Sequence, residues 1–146
     1  MEMDAILARL QPKDNLSSGK EVWRILVVDD EPAVSGAIKM MLEHDGHKVQ
    51  TANNGMEALS LLEESKFDLV TTDFFMTGMK GDALAAAIKE RLPDQPVLMI
   101  SANGAIAKSS GDNLPGVDLV ISKPFLLEDL RRAVDFFKGR RPQSSG

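Results

Sequence analysis

Residues 67–81 read FDLVTTDFFMTGMKG, and the fold of the chain is organised around this stretch. Leu69 and Val70, followed by two β-branched threonines, are typical of a buried central strand. After Asp73 the pattern breaks into a glycine-containing segment, which indicates a loop. The stretch therefore predicts a short strand that presents the Asp73 carboxylate at its carboxyl end. Taken alone, such an aspartate is more often a cap for the next turn than a functional group.

Four further apolar runs surround this strand in the sequence and alternate with helical spacing. They predict strands at 23–28, 49–52, 97–100 and 117–121, while helical spacing covers 34–42, 58–62, 82–91 and 127–137, with a weaker signal in 103–116. Pro32 and Gly46 stand where the first helix would begin and end. Five strands that alternate with about five helices predict a doubly wound α/β fold with a parallel sheet and helices on both faces.

Length and composition set the broad class. The 146 residues are enough for one domain, and a formal net charge of −5 argues against direct binding to nucleic acid. The chain has no cysteine, which excludes a disulfide framework and a thiolate nucleophile. Neither a membrane span nor a signal peptide is predicted, so we expect a cytoplasmic protein. The expected organisation is an N-terminal extension or linker at 1–20, one domain at 21–138 and a disordered tail at 139–146.

Polar side chains follow the predicted strands at the points where these strands end. Asp29 and Asp30 follow the first strand, Asp73 the third, Ser101 the fourth and Lys123 the fifth. In a doubly wound sheet the binding crevice lies outside the carboxyl ends of the strands. We therefore expect these five side chains to converge in one crevice, which favours a functional interpretation of Asp73 over a capping role.

The chemistry of this set points to phosphoryl transfer. Crowded carboxylates repel one another unless a cation offsets them, and Mg²⁺ prefers carboxylate oxygens and water. The Ser101 hydroxyl and the Lys123 ammonium are donors suited to phosphoryl oxygens. The set thus matches a site in which a carboxylate is the nucleophile, while a metal ion and a lysine neutralise charge.

At this point four separated motifs identify a resemblance. The chain resembles a two-component response regulator receiver domain over about residues 22–138. The motifs are Ile25–Pro32, Asp73 with Met76, Met79 and Gly81, then Ser101–Ala102, and Lys123–Phe125. The resemblance implies a flavodoxin-like, CheY-like sheet with strand order 2-1-3-4-5.

The resemblance also implies roles for the residues at the strand ends. Asp73 would accept a phosphoryl group from a phosphohistidine donor. Asp30 and Asp73 would ligate Mg²⁺ directly, Asp29 mostly through water, and the backbone carbonyl of Phe75 would supply another oxygen.

Two further roles in the same set concern the switch that follows phosphorylation. Ser101 would close on a phosphoryl oxygen as the switch residue. Lys123 would pair with Asp73 before transfer and with the phosphoryl group afterwards.

The sequence departs from the family pattern in three places. Thr77 stands where the family usually has proline, which predicts a looser loop after Asp73. Val120 replaces a common aromatic switch residue, and 103–116 is rich in helix-breaking residues. We therefore expect the surface at 103–120 to be mobile and to signal by becoming ordered.

Two more expectations concern side chains near the site. The apolar Phe75 offers no hydrogen bond to an attacking water, which predicts slow self-hydrolysis of the acyl phosphate. His44 and His47, around the end of the first helix, are predicted to be surface residues that accept no phosphoryl group.

The tail after residue 138 is too short to fold alone, so we expect the domain to act on partners in trans. These would be a sensor histidine kinase or a histidine phosphotransfer protein, and a downstream effector protein. One alternative is an interaction module of the same fold that does not depend on phosphorylation. A more distant one is a Mg²⁺-dependent phosphohydrolase, but that enzyme would need a second acid where Phe75 stands.

Overall fold

A computed structural model of the protein describes residues 21–101 and 115–140. Five strands and four helices occur within these ranges. In chain order they are β1 (Arg24–Val28), α1 (Pro32–His44), β2 (Lys48–Ala52), α2 (Gly55–Glu64), β3 (Leu69–Thr72), α3 (Gly81–Arg91), β4 (Val97–Ser101), β5 (Leu119–Ser122) and α4 (Leu127–Arg140). The predicted extension at 1–20 and nearly all of the weak segment at 103–116 lie outside the described residues.

The five strands form one parallel sheet in the order β2-β1-β3-β4-β5. This order confirms the predicted doubly wound fold. β3 lies at the centre, pairs with β1 and β4, and has all four of its residues buried. The chain moves from β1 outward to β2 and then back across β1 to β3. The crevice expected for this topology therefore lies at the carboxyl ends of β1 and β3.

β1 contributes to both hydrophobic layers, which explains its continuous apolar run. Ile25 and Val27 face the layer that α1 and α4 cover, whereas Leu26 and Val28 face the layer that α2 and α3 cover. All four side chains are at most 1% exposed. Burial of each such side chain contributes about 1.5–3 kcal/mol, so the doubly covered strand anchors the loop that follows it.

The helix ends follow the signals in the sequence. Pro32 is the first residue of α1, and Gly46 reverses the chain after α1 with a φ of +93°. The Asn54 side chain accepts a hydrogen bond from the Glu57 N–H at 2.8 Å and so caps α2. α4 continues to Arg140, so the first two residues that were assigned to the tail are helical. Residues 141–146 lie outside the described ranges, and the domain boundaries remain predictions.

The prediction for the two histidines is half right. His44 is exposed, as expected. His47 was expected at the surface, and this is wrong: it is 9% exposed, and its Nδ1 accepts a hydrogen bond from the Trp23 N–H at 3.1 Å. The reason is the turn at Gly46, which brings the start of β2 beside the start of β1, where Lys48 N–H also bonds the Trp23 carbonyl at 2.9 Å. Burial is the main cause of the lowered pKa of His47, and the charge of Lys138 lowers it further.

Among the residues described, no helix combines the length and the apolar character that crossing a membrane requires.

Candidate active site

Asp73 lies where β3 ends and the chain turns toward α3. Its N–H donates to the Val28 carbonyl at 3.2 Å, which continues the β1–β3 ladder by one bond, and the residue is only 7% exposed. The loop then closes tightly, because Gly81 N–H bonds the Phe74 carbonyl at 2.9 Å. A Cβ at position 81 would overlap the carbonyl oxygen of Asp73, so glycine is required for this closure. The loop therefore holds the Asp73 carboxylate at the carboxyl end of β3.

Asp29 and Asp30 follow β1 and lie beside Asp73. Asp29 is 1% exposed, and its Oδ1 accepts a hydrogen bond from the Glu31 N–H at 2.9 Å. Carboxylate oxygens of Asp29, Asp30 and Asp73 all lie within 4.8 Å of one another. The predicted convergence of the three carboxylates is therefore present in the structure.

Ser101 is the last residue of β4, and Lys123 directly follows the neighbouring strand β5. The Lys123 N–H donates to the Ser101 carbonyl at 2.8 Å, and Ser101 itself is buried at the end of β4. The Lys123 ammonium lies 3.4 Å from Asp29 Oδ2 and 3.6 Å from Asp73 Oδ1, with its side chain 17% exposed. The ammonium thus sits between two buried carboxylates and binds neither of them closely.

The charges of this cluster are not balanced by the described residues around it. Burial raises the pKa of Asp73, the positive charge of Lys123 lowers it, and the charge of Asp29 raises it again, with a net upward shift. Asp73 Oδ1 is buried and has no hydrogen-bond partner among the described residues. Three carboxylates with one neighbouring ammonium, and a buried oxygen that accepts no hydrogen bond from the described residues, fit a hard divalent cation, which prefers oxygen ligands.

Asp30 has a partner that the sequence did not predict. Its Oδ2 accepts two hydrogen bonds from Thr77, one from the backbone N–H at 2.9 Å and one from the hydroxyl at 3.0 Å. The bond from the Thr77 N–H is the main cause of the lowered pKa of Asp30. The two residues are 47 positions apart, and no local pattern signals such a contact. The expected looseness of this loop concerns mobility and stays a prediction.

The comparisons with known proteins agree with this geometry. Residues 25–135 match the sequence profile described as response regulator receiver domain. The chain belongs to the response regulator receiver family. One curated relative is the transcriptional regulatory protein GlrR of Escherichia coli (strain K12), which is 34% identical over 76% of this chain and 25% of its own length. Another is the transcriptional regulatory protein TcrA of Mycobacterium tuberculosis (strain H37Rv), which is 33% identical over 73% of this chain and 42% of its own length. The receiver therefore spans less than half the length of these two relatives.

Solved receiver structures give the same result. TrrA of Thermotoga maritima, in complex with Mg²⁺ and BeF, is 32% identical, with a TM-score of 0.72 over 78% of the receiver and 97% of that chain. The receiver domain of NtrX from Brucella abortus is 31% identical, with a TM-score of 0.74 over 80% of this chain and 99% of that chain. The chain is thus a receiver of the two-component type, and receivers of this family are signalling modules.

Phe75 and Val120, which the sequence singled out for different reasons, both lie among the described residues. The Phe75 side chain in the β3–α3 loop of the receiver is 46% exposed and contacts the Phe74 ring edge to face, with centroids 4.8 Å apart. Val120 lies on β5, pairs in register with Met99 and is partly buried. The segment 103–114, to which Val120 was linked in the predicted mobile surface, lies outside the described residues.

Proposed function

We propose that this receiver accepts a phosphoryl group on Asp73 from a phosphohistidine donor, in a reaction that requires Mg²⁺. The observation that carries the proposal is Asp73 Oδ1, a buried carboxylate oxygen without a hydrogen-bond partner among the described residues. It lies 3.6 Å from the Lys123 ammonium and within the same cluster as two further carboxylates. A nucleophilic carboxylate with cationic neighbours is the arrangement that acyl phosphate formation needs.

The transfer itself is a displacement at phosphorus. A carboxylate oxygen of Asp73 forms a bond to phosphorus while the phosphorus–nitrogen bond to the donor imidazole breaks, and the electron pair leaves with that nitrogen. Ionised Asp73 is the reactive form, and Lys123 favours this form because its ammonium lies beside the carboxylate. The same ammonium would then neutralise charge on the transferred group.

The three aspartates would contribute to metal binding in different ways. Asp30 and Asp73 would contribute oxygens directly, together with the backbone carbonyl of Phe75. Asp29 would act mainly through water, since one of its oxygens already accepts the Glu31 N–H and the other faces Lys123 at 3.4 Å. When bound, Mg²⁺ supplies the positive charge that offsets these carboxylates and the phosphoryl oxygens.

Phosphorylation would be read by a partner protein. The new group adds negative charge and strong acceptor oxygens at the end of β3. Ser101 at the end of β4 would bond one of these oxygens, and Lys123, whose N–H is bonded to the Ser101 carbonyl, would hold another. The donor would be a sensor histidine kinase or a histidine phosphotransfer protein in the cytoplasm, and an effector protein would bind the altered surface.

The test is an intact-mass measurement after incubation with Mg²⁺ and acetyl phosphate. We expect one added phosphoryl group on the wild-type chain, and none after Asp73→Asn or when Mg²⁺ is removed by a chelator. Asp118→Asn serves as the matched control, because Asp118 lies at the opposite edge of the sheet. If neither acetyl phosphate nor candidate kinases give an adduct, the protein is a phosphorylation-independent interaction module instead.

A further inference from the structure

The contact between Thr77 and Asp30 joins the two loops that carry the carboxylates. Asp30 follows β1, and Thr77 lies in the loop between β3 and α3. Both Thr77 donors converge on Oδ2 of Asp30, at 2.9 and 3.0 Å, which leaves Oδ1 outside this pair of bonds. Asp30 is also the most exposed of the three aspartates, whereas Asp29 and Asp73 are held by burial.

We propose that Thr77 is the positioning residue that presents Asp30 to a divalent cation. This inference rests on the proposed metal site and adds a residue outside its ligand set. A partly exposed aspartate can adopt several rotamers, and binding a metal ion would require it to lose that freedom. Two donors on one oxygen fix the carboxylate before the ion arrives. Loss of such outer partners typically weakens metal binding about 10–100-fold.

The two donors of Thr77 can be separated by substitution. Serine keeps both the N–H and the hydroxyl, valine keeps the shape and the N–H, and proline removes both donors. If Thr77 positions Asp30 through both bonds, the metal affinities of the variants should form a graded series. The serine variant should match the wild type, the valine variant should bind more weakly and the proline variant most weakly. If the two bonds merely drew charge away from Asp30 and so weakened it as a ligand, the series would run in the opposite direction.

The experiment measures Mn²⁺ binding to the full chain by electron paramagnetic resonance, with Mg²⁺ competition to obtain its dissociation constant. We expect Thr77→Ser to bind within about twofold of wild type, Thr77→Val about 3–10-fold more weakly and Thr77→Pro about 10–100-fold more weakly. Thermal unfolding without metal checks each fold. Thr77→Val keeps the test valid if the proline variant does not fold.

Two negative outcomes are distinguishable. If the wild type binds Mn²⁺ and Thr77→Val binds it equally well or more tightly, the positioning role is overturned while the metal site stands. If the wild type binds no Mn²⁺, the metal site fails and this inference fails with it. A loss of affinity in Thr77→Val that Thr77→Ser does not show, without a change in metal-free stability, is the signature that a purely structural threonine would not give.

Discussion

The sheet has an amino edge, where its strands begin, and a carboxyl edge, where its strands end. Polar side chains are used in opposite ways at these two edges. At the amino edge, each of three acceptors bonds a backbone N–H at or just before the start of a strand. The pairs are Asp68 with Arg24 N–H at 2.8 Å, Asp118 with Val97 N–H at 2.8 Å, and His47 with Trp23 N–H at 3.1 Å. At the carboxyl edge three aspartates face one another with one ammonium between two of them.

The difference shows what an acidic residue does in each setting. At the amino edge an acceptor bonds a backbone N–H at or just before the start of a strand, so the contact stabilises the fold. At the carboxyl edge like charges are buried together, and Asp73 Oδ1 lacks a hydrogen-bond partner among the described residues. The second arrangement costs stability in the metal-free protein and provides a place where a cation and a phosphoryl group gain it.

The largest expected effect comes from removing one carboxylate at each edge. Asp118→Ala deletes the bonds to Val97 N–H and to the Lys89 ammonium, both at 2.8 Å. We expect the free energy of unfolding to fall by about 1.5–3 kcal/mol, since hydrogen bonds to charged groups contribute in that range. Asp73→Asn should leave it unchanged or raise it, because burial in the folded state disfavours the charged form of Asp73. Urea unfolding at pH 7 without metal measures both.

These two variants test directly whether the two edges differ in their effect on stability. A loss of stability in Asp73→Asn as large as that in Asp118→Ala would mean that the carboxyl edge is also built for stability.

Mg²⁺ should act on one edge alone. At a concentration ten times the dissociation constant, a ligand that binds only the folded protein stabilises it by about 1.4 kcal/mol. We expect this gain for the wild type and for Asp118→Asn, and its loss in Asp30→Asn, in thermal unfolding with and without Mg²⁺. An equal gain in Asp30→Asn would place the cation elsewhere on the chain.

A smaller effect is the pH dependence of stability that the buried His47 at the amino edge causes. Its folded-state pKa is lowered, so below the unfolded value of about 6.5 the unfolded chain binds more protons. Its contribution to stability is therefore complete above about pH 6.5 and declines as the pH falls toward the lower folded-state pKa. His47→Gln keeps a possible acceptor for the Trp23 N–H and should remove this decline.

The matched control for His47 is His44→Gln, because His44 is an exposed residue at the end of α1. That variant should keep the wild-type decline in denaturation experiments between pH 7 and 5. If both variants retain the decline, other groups cause it.

The sheet edges also show what could be predicted from the sequence. The apolar runs gave the strands, and a parallel sheet places its strand ends together, so the approach of Asp29, Asp30 and Asp73 followed from topology. The apolar run of β1 and the glycine at position 46 were equally legible, because each reports a local requirement for burial or for a positive φ.

Contacts between distant residues were not predictable in this way. The bonds from Thr77 to Asp30 depend on the path of two loops, and the burial of His47 depends on where Gly46 directs the chain. Asp68 and Asp118 accept from strands far from them in sequence, at separations of 44 and 21 residues. Such contacts produce no periodic sequence pattern, because a single polar residue in a loop looks the same in the sequence whether its side chain is solvated or hydrogen-bonded.

The smallest expected effect is kinetic and concerns Phe75 at the carboxyl edge. Its exposed ring cannot orient a water molecule for attack on an acyl phosphate, whereas asparagine can hydrogen-bond one. We expect Phe75→Asn to speed the loss of the phosphoryl group about fivefold, which corresponds to about 1 kcal/mol of activation free energy. The decay is followed by intact mass after removal of acetyl phosphate. Phe136→Asn, which changes a 37% exposed phenylalanine on α4, should leave the rate unaltered. Rapid decay in the wild type that Phe75→Asn does not change would show that the exposed ring does not limit access of water to this edge.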